Sequence, residues 1–163
     1  MRRLASIITV TTMLTATAAY AEDDHHEGEH RHHVAIFGGV GIERGSNDHS
    51  ESGSAVGLKY HYRLSPRWSI GFDAERIFGN DSSNRDWAFA IPFTYDLSEN
   101  WKVLAGPGLE DSEFGSDKFL VRVGIAWEGE LSGRWTWSPE VIVDILENGD
   151  TVYIAGIAIG YGL

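Results

Sequence analysis

The sequence contains no cysteine, so neither a disulfide nor a thiolate contributes to its fold or chemistry. Basic residues are few: 13 Lys and Arg stand against 24 Asp and Glu, for a formal net charge of −11. So acidic a chain offers no positive face to phosphates, which argues against nucleic acid as a partner. Long apolar runs are also missing. Past the leader, no segment approaches the roughly 18 continuous apolar residues that a membrane-spanning helix requires. No window carries a convincing helical period either. What remains is alternation, and hydropathy averaged along the chain conceals a membrane signal of that kind.

The leader is residues 1–21, read as a signal peptide. Arg2 and Arg3 form a positive start, "LASIITVTTMLTATA" is apolar but short, and "AYA" at Ala19 to Ala21 is a cleavage signal. Its removal leaves 142 residues with 11 basic and 24 acidic side chains, a net charge of −13. Residues 22–33, "EDDHHEGEHRHH", contain no apolar side chain and read as a disordered tail. Residues 34–163 form the single folded domain.

In that domain one phrase recurs. "LSPRW", "LSENW" and "LSGRW" begin at Leu64, Leu97 and Leu131, 33 and then 34 residues apart. Between and around them, period-2 alternation predicts eight strands: His33–Glu43, Ser54–Leu64, Arg67–Phe78, Asp86–Leu97, Trp101–Glu110, Lys118–Leu131, Arg134–Leu146 and Thr151–Leu163. Several run to 10 residues or more, against about 5 to 6 in ordinary soluble strands. The three Leu-Ser-x-x-Trp phrases are tight turns. The other four connections are longer and polar. Three short turns at one end and four loops at the other describe an all-β, eight-stranded antiparallel up-and-down barrel, with both termini at the short-turn end.

Side-chain size decides which face points outward. In the fourth strand Trp87, Phe89, Ile91, Phe93, Tyr95 and Leu97 oppose Asp86, Ala88, Ala90, Pro92, Thr94 and Asp96. An eight-stranded barrel has an interior just wide enough for side chains to fill, so the bulky face belongs outside. In water that face would be an apolar patch far beyond what soluble monomers carry; in a bilayer it meets acyl chains. Trp68, Trp101 and Trp135 start three strands at one end, while Phe78, Trp87 and Phe119 lie at the other, as two aromatic girdles should. Pro92, Pro107 and Pro139 each remove a ladder donor and are expected to mark bulges.

With these residues in view, the chain resembles the small eight-stranded outer-membrane β-barrels of Gram-negative bacteria, of OmpA/OmpX-like architecture. The likeness covers Val34 to Leu163 and includes the Leu-Ser-x-x-Trp turns. The last strand, with Gly156, Ile159, Tyr161 and Leu163, is similar to the signal such proteins present to the barrel-insertion machinery, which usually ends in Phe or Trp. The resemblance implies an integral outer-membrane protein with both termini periplasmic, a monomer whose partners are membrane lipid, lipopolysaccharide and that machinery.

Three groups of residues are candidates for function. Inward phase places Lys59, Arg63, Asp73, Glu75, Arg122, Glu140 and Asp144 in the lumen, where buried charges must pair. They read as a plug that fills the barrel, with a narrow channel for small solutes as the rival reading. His25, His26, His30, His32 and His33 form a candidate ligand set for Zn²⁺, Ni²⁺ or Cu²⁺, on composition alone, and no other cofactor is implied. Lipid-modifying enzymes of this architecture make a third comparison. Their deacylase type needs an outward His-x-Ser on one strand. None occurs here: His61 is inward, and His49-Ser50 is assigned to a loop. The expected function is a structural or interaction role without catalysis.

Overall fold

The computed structural model describes residues 31–45, 50–79, 85–111 and 117–163. The leader and His25, His26 and His30 lie outside them, as does most of the tail. Ten strand segments are present: β1 (His32–Arg44), β2 (Ser50–Ser65), β3 (Trp68–Gly79), β4 (Arg85–Ala90), β5 (Phe93–Asp96), β6 (Trp101–Asp111), β7 (Lys118–Trp127), β8 (Gly129–Ser132), β9 (Trp135–Leu146) and β10 (Thr151–Gly162). β4 and β5 are two halves of one stave, as are β7 and β8, which leaves eight. Each stave pairs antiparallel with its neighbours, and β1 pairs with β10 from His33↔Gly162 to Arg44↔Thr151. The sheet is therefore a closed barrel. β1 begins at His32, so His32 and His33 belong to the wall rather than to the tail.

The prolines do not bulge, contrary to the expectation from sequence. Asp73↔Ala90 and Ile70↔Phe93 share one register across Pro92, as do Ala90↔Gly108 and Phe93↔Ala105 on the other side. Pro92 only lacks a donor. Its carbonyl still accepts from Gly71 N–H at 2.8 Å, and Ile91 N–H donates to the Pro107 carbonyl at 2.9 Å. Pro107 stays in register with Val121, and Pro139 with Ile157. The ladder from β9 lapses beside Pro139, after Ala126↔Glu140, and resumes at Gly129↔Trp137, which is why the β7–β8 stave is interrupted. Alternation therefore keeps its phase through all three prolines.

The register does shift in two places, between Arg63 and Ser65 and between Glu130 and Ser132. Both are in the Leu-Ser-x-x-Trp turns. Gly133, with φ of 56°, supplies the left-handed residue of one of them. In the middle repeat Ser98 Oγ accepts from Trp101 N–H at 3.2 Å, which gives the repeated serine a mechanical role.

The wall faces are as the size argument requires. Outward side chains are open, Ile36 at 67% and Leu58 at 64% among them. Aromatic pairs ring the turn end: Trp68–Tyr95 at 4.8 Å between centroids, Trp135–Tyr161 at 5.0 Å and Trp127–Trp137 at 5.2 Å. Inside, large side chains lie over glycines. A Cβ on Gly39 or Gly156 would strike the Phe37 ring, one on Gly57 would strike Glu75, and one on Gly108 would strike Leu120. The Gly156→Val variant is expected to lose about 1–3 kcal/mol through overpacking. Gly38→Val, on the outer side where nothing lies within 4 Å, is expected to change stability by less than about 0.5 kcal/mol. Urea unfolding in detergent micelles, followed by tryptophan fluorescence, measures both.

Candidate functional site: the charged lumen

The densest polar chemistry lies inside the barrel. Asp73 and Glu75 are consecutive inward positions of β3, and Asp144 and Glu140 are inward on β9. Lys59 faces in from β2 and Arg122 from β7. All six are buried, and Arg122, Asp73 and Glu75 are completely so.

Arg122 is the hub. Its Nε and Nη2 donate to the two oxygens of Asp144 at 2.8 and 2.7 Å, a fork-on-carboxylate pair. Asp144 is its direct cross-strand partner. The same guanidinium reaches across the lumen to β3, three staves away, where Nη2 meets Glu75 at 2.7 Å and Nη1 meets Asp73 at 3.3 Å. Lys59 spans the other diagonal. Its Nζ lies 2.5 Å from Glu140 on β9, 3.4 Å from Glu75 and 4.0 Å from Asp73, and 4.8 Å from the centroid of the Phe37 ring. His61 Nε2 stands 3.4 Å from the remaining Asp73 oxygen. Two cations thus tie four carboxylates on opposite walls, and none of the six opens to solvent.

Of the residues assigned to the lumen from sequence, Lys59, Asp73, Glu75, Arg122, Glu140 and Asp144 come together in this network. Arg63 does not join it. It sits near the turn end and pairs with Asp96 at 3.5 Å.

Other layers flank the network. One inward step toward the loops from Glu75, Arg122 and Asp144 stand Ile77, Leu120 and Leu146, which pack with Val152 and Ile154 into an apolar layer. Beyond it Lys118 and Glu110 pair at 3.1 Å. Toward the turn end, Lys102 and Glu128 pair at 2.7 Å and His33 Nε2 lies 3.0 Å from Thr136 Oγ1. The apolar layer, Lys102 and Glu110 were not singled out from sequence. The inward phase of their strands was the signal that could have found them.

The histidines assigned to metal divide. His32 Nδ1 lies 2.7 Å from the Tyr60 hydroxyl and His33 is held in the lumen, while His25, His26 and His30 lie outside the described residues. Among the described residues no group of three or more His, Asp or Glu is arranged to hold a metal ion.

No protein-family profile matches the sequence. No curated protein matches it by sequence either. Solved structures do match. Neisserial surface protein A aligns at 11% identity and a TM-score of 0.64, over 84% of this chain and 100% of that one. The attachment invasion locus protein of Yersinia pestis aligns at 14% identity and 0.57, over 82% and 99%. A de novo designed transmembrane β-barrel aligns at 14% identity and 0.51, over 82% and 98%. The chain has the fold of the small eight-stranded outer-membrane β-barrels.

Proposed function

We propose that the protein is an integral outer-membrane barrel with both termini in the periplasm, whose plugged lumen does not conduct and whose role is structural or interactive. A designed barrel shares the fold with a surface protein and an attachment protein, so the role rests on the residues the barrel carries. The observation that carries the reading is the fully buried Arg122, which ties β7 and β9 to β3 across the lumen beneath an apolar layer. A hydrated path would leave these groups in contact with water. Here they pair with one another instead, and of the buried polar atoms of the six side chains only Glu75 Oε1 lacks a hydrogen bond, lying 3.4 Å from Lys59 Nζ. The surface available for interaction is then the outer wall and the loops, not a bore.

Purified protein reconstituted into a planar lipid bilayer is expected to give no single-channel steps. Steady, uniform steps would replace the plug with the narrow-channel reading. Catalysis forms no part of the proposal: His61, the strand histidine nearest a carboxylate, faces Asp73 in the lumen and has no lipid-facing serine beside it. Metal capture by the tail would have to use His25, His26 and His30, because His32 and His33 are already engaged in the barrel.

A further inference from the structure

On the outer face of β3 one charge points away from the lumen. Arg76 is in phase with Trp68, Ile70, Phe72 and Phe78 on the outer face of β3. Its guanidinium carbon lies 5.3 Å from the centroid of the Phe78 ring and 5.3 Å from that of Trp87. Among the described residues it has no ion-pair partner, and its Nε is buried without a hydrogen bond. Only Nε is shut away, so the two terminal nitrogens are left to face the surroundings of the barrel.

Its height on the wall identifies those surroundings. Arg76 pairs with Val56 on β2, where the apolar outer face ends. The next outward positions toward the loops, Ser54 and Ser52, are polar and exposed. Arg76 therefore sits at the edge of the apolar band, at the level where lipid headgroups begin. Below it Phe72 and Phe89 stack at 6.3 Å and form a greasy track. A guanidinium matches phosphate with two parallel donors, and the flanking rings hold it in place. A net charge of −11 repels anionic lipid in general, so attraction has to be local.

We propose that Arg76, held between Phe78 and Trp87, binds the phosphate of an anionic lipid at the loop-end membrane interface, with the acyl chains along Phe72 and Phe89. The proposal rests on the outer wall being lipid-facing. Native mass spectrometry of the folded protein, released from detergent micelles, tests it for the wild type, Arg76→Gln and Arg76→Lys. With phosphatidylglycerol as the probe, the wild type is expected to retain about fivefold more lipid adduct than Arg76→Gln, the effect of one basic residue at a membrane surface. Arg76→Lys is expected to fall between them, since it keeps the charge and loses the fork. Phosphatidylcholine adducts should be the same for all three. Equal phosphatidylglycerol retention by the wild type and either folded variant would overturn the assignment. So would loss of the adduct to millimolar inorganic phosphate, which would make this a site for free anions. Wild-type protein that stays folded and dispersed without detergent would instead refute the membrane reading beneath it.

Discussion

Arg122→Leu is expected to lose about 3–5 kcal/mol of stability, because it strands Asp144 as a buried carboxylate without a cation and leaves Asp73 and Glu75 to share Lys59. Leucine fills much of the volume, so the loss reports on charge rather than on a cavity. Urea titration of the folded protein in lipid vesicles, with tryptophan emission as the probe, measures it. A double variant in which Asp144→Asn accompanies Arg122→Leu is expected to recover part of the deficit, since the stranded charge is gone. Its non-additivity would give the coupling directly. Arg122→Leu within about 1 kcal/mol of the wild type would mean that the network does not hold the walls together. The same variant in the planar bilayer should show at least intermittent conductance, because the remaining carboxylates repel one another and admit water.

The next residue along the chain should behave in the opposite way. Val123 lies on the outer face, midway along β7, between Ala105 and Val143 on its neighbours. Val123→Lys is expected to cost about 2–4 kcal/mol in lipid vesicles, the cost of a cation at the bilayer midplane of a barrel. In water the same change at an exposed position would be nearly neutral. Adjacent positions, one requiring a cation and the other rejecting it, form a sharp test of which face meets lipid. A loss below about 0.5 kcal/mol at Val123 would place that face in water.

Most of the architecture was legible because a strand's side-chain period is two and charged residues reveal the phase. In β9 the run "EVIVDIL" is apolar at five of its seven positions, yet Glu140 and Asp144 fix Ile142 and Leu146 as inward and Val141, Val143 and Ile145 as outward. The stave boundaries follow from the three Leu-Ser-x-x-Trp turns. The contents of the interior were less legible. A lumen of small and charged groups is right on average, but it misses Phe37, Leu120 and Ile142, all buried inside. Their room comes from glycines on adjacent staves, such as Gly156 beside Phe37 and Gly124 beside Ile142, and that pairing depends on register, which no single strand reveals. The prolines were misjudged for a related reason. A missing donor can be absorbed as a gap in the ladder, and here neighbouring carbonyls and amides close around it without a shift. Which carboxylate Arg122 would choose was unreadable, because two of its three partners lie across the barrel.

The seam between β1 and β10 also governs how such a molecule can be made. Its register runs from Arg44 opposite Thr151 to His33 opposite Gly162, and so joins the first and last strands of the barrel. Until the final strand arrives, the first has an unsatisfied edge that invites pairing with another chain. Contact order is correspondingly high, and folding is expected to be slow because the seam closes only once the whole barrel sequence is available.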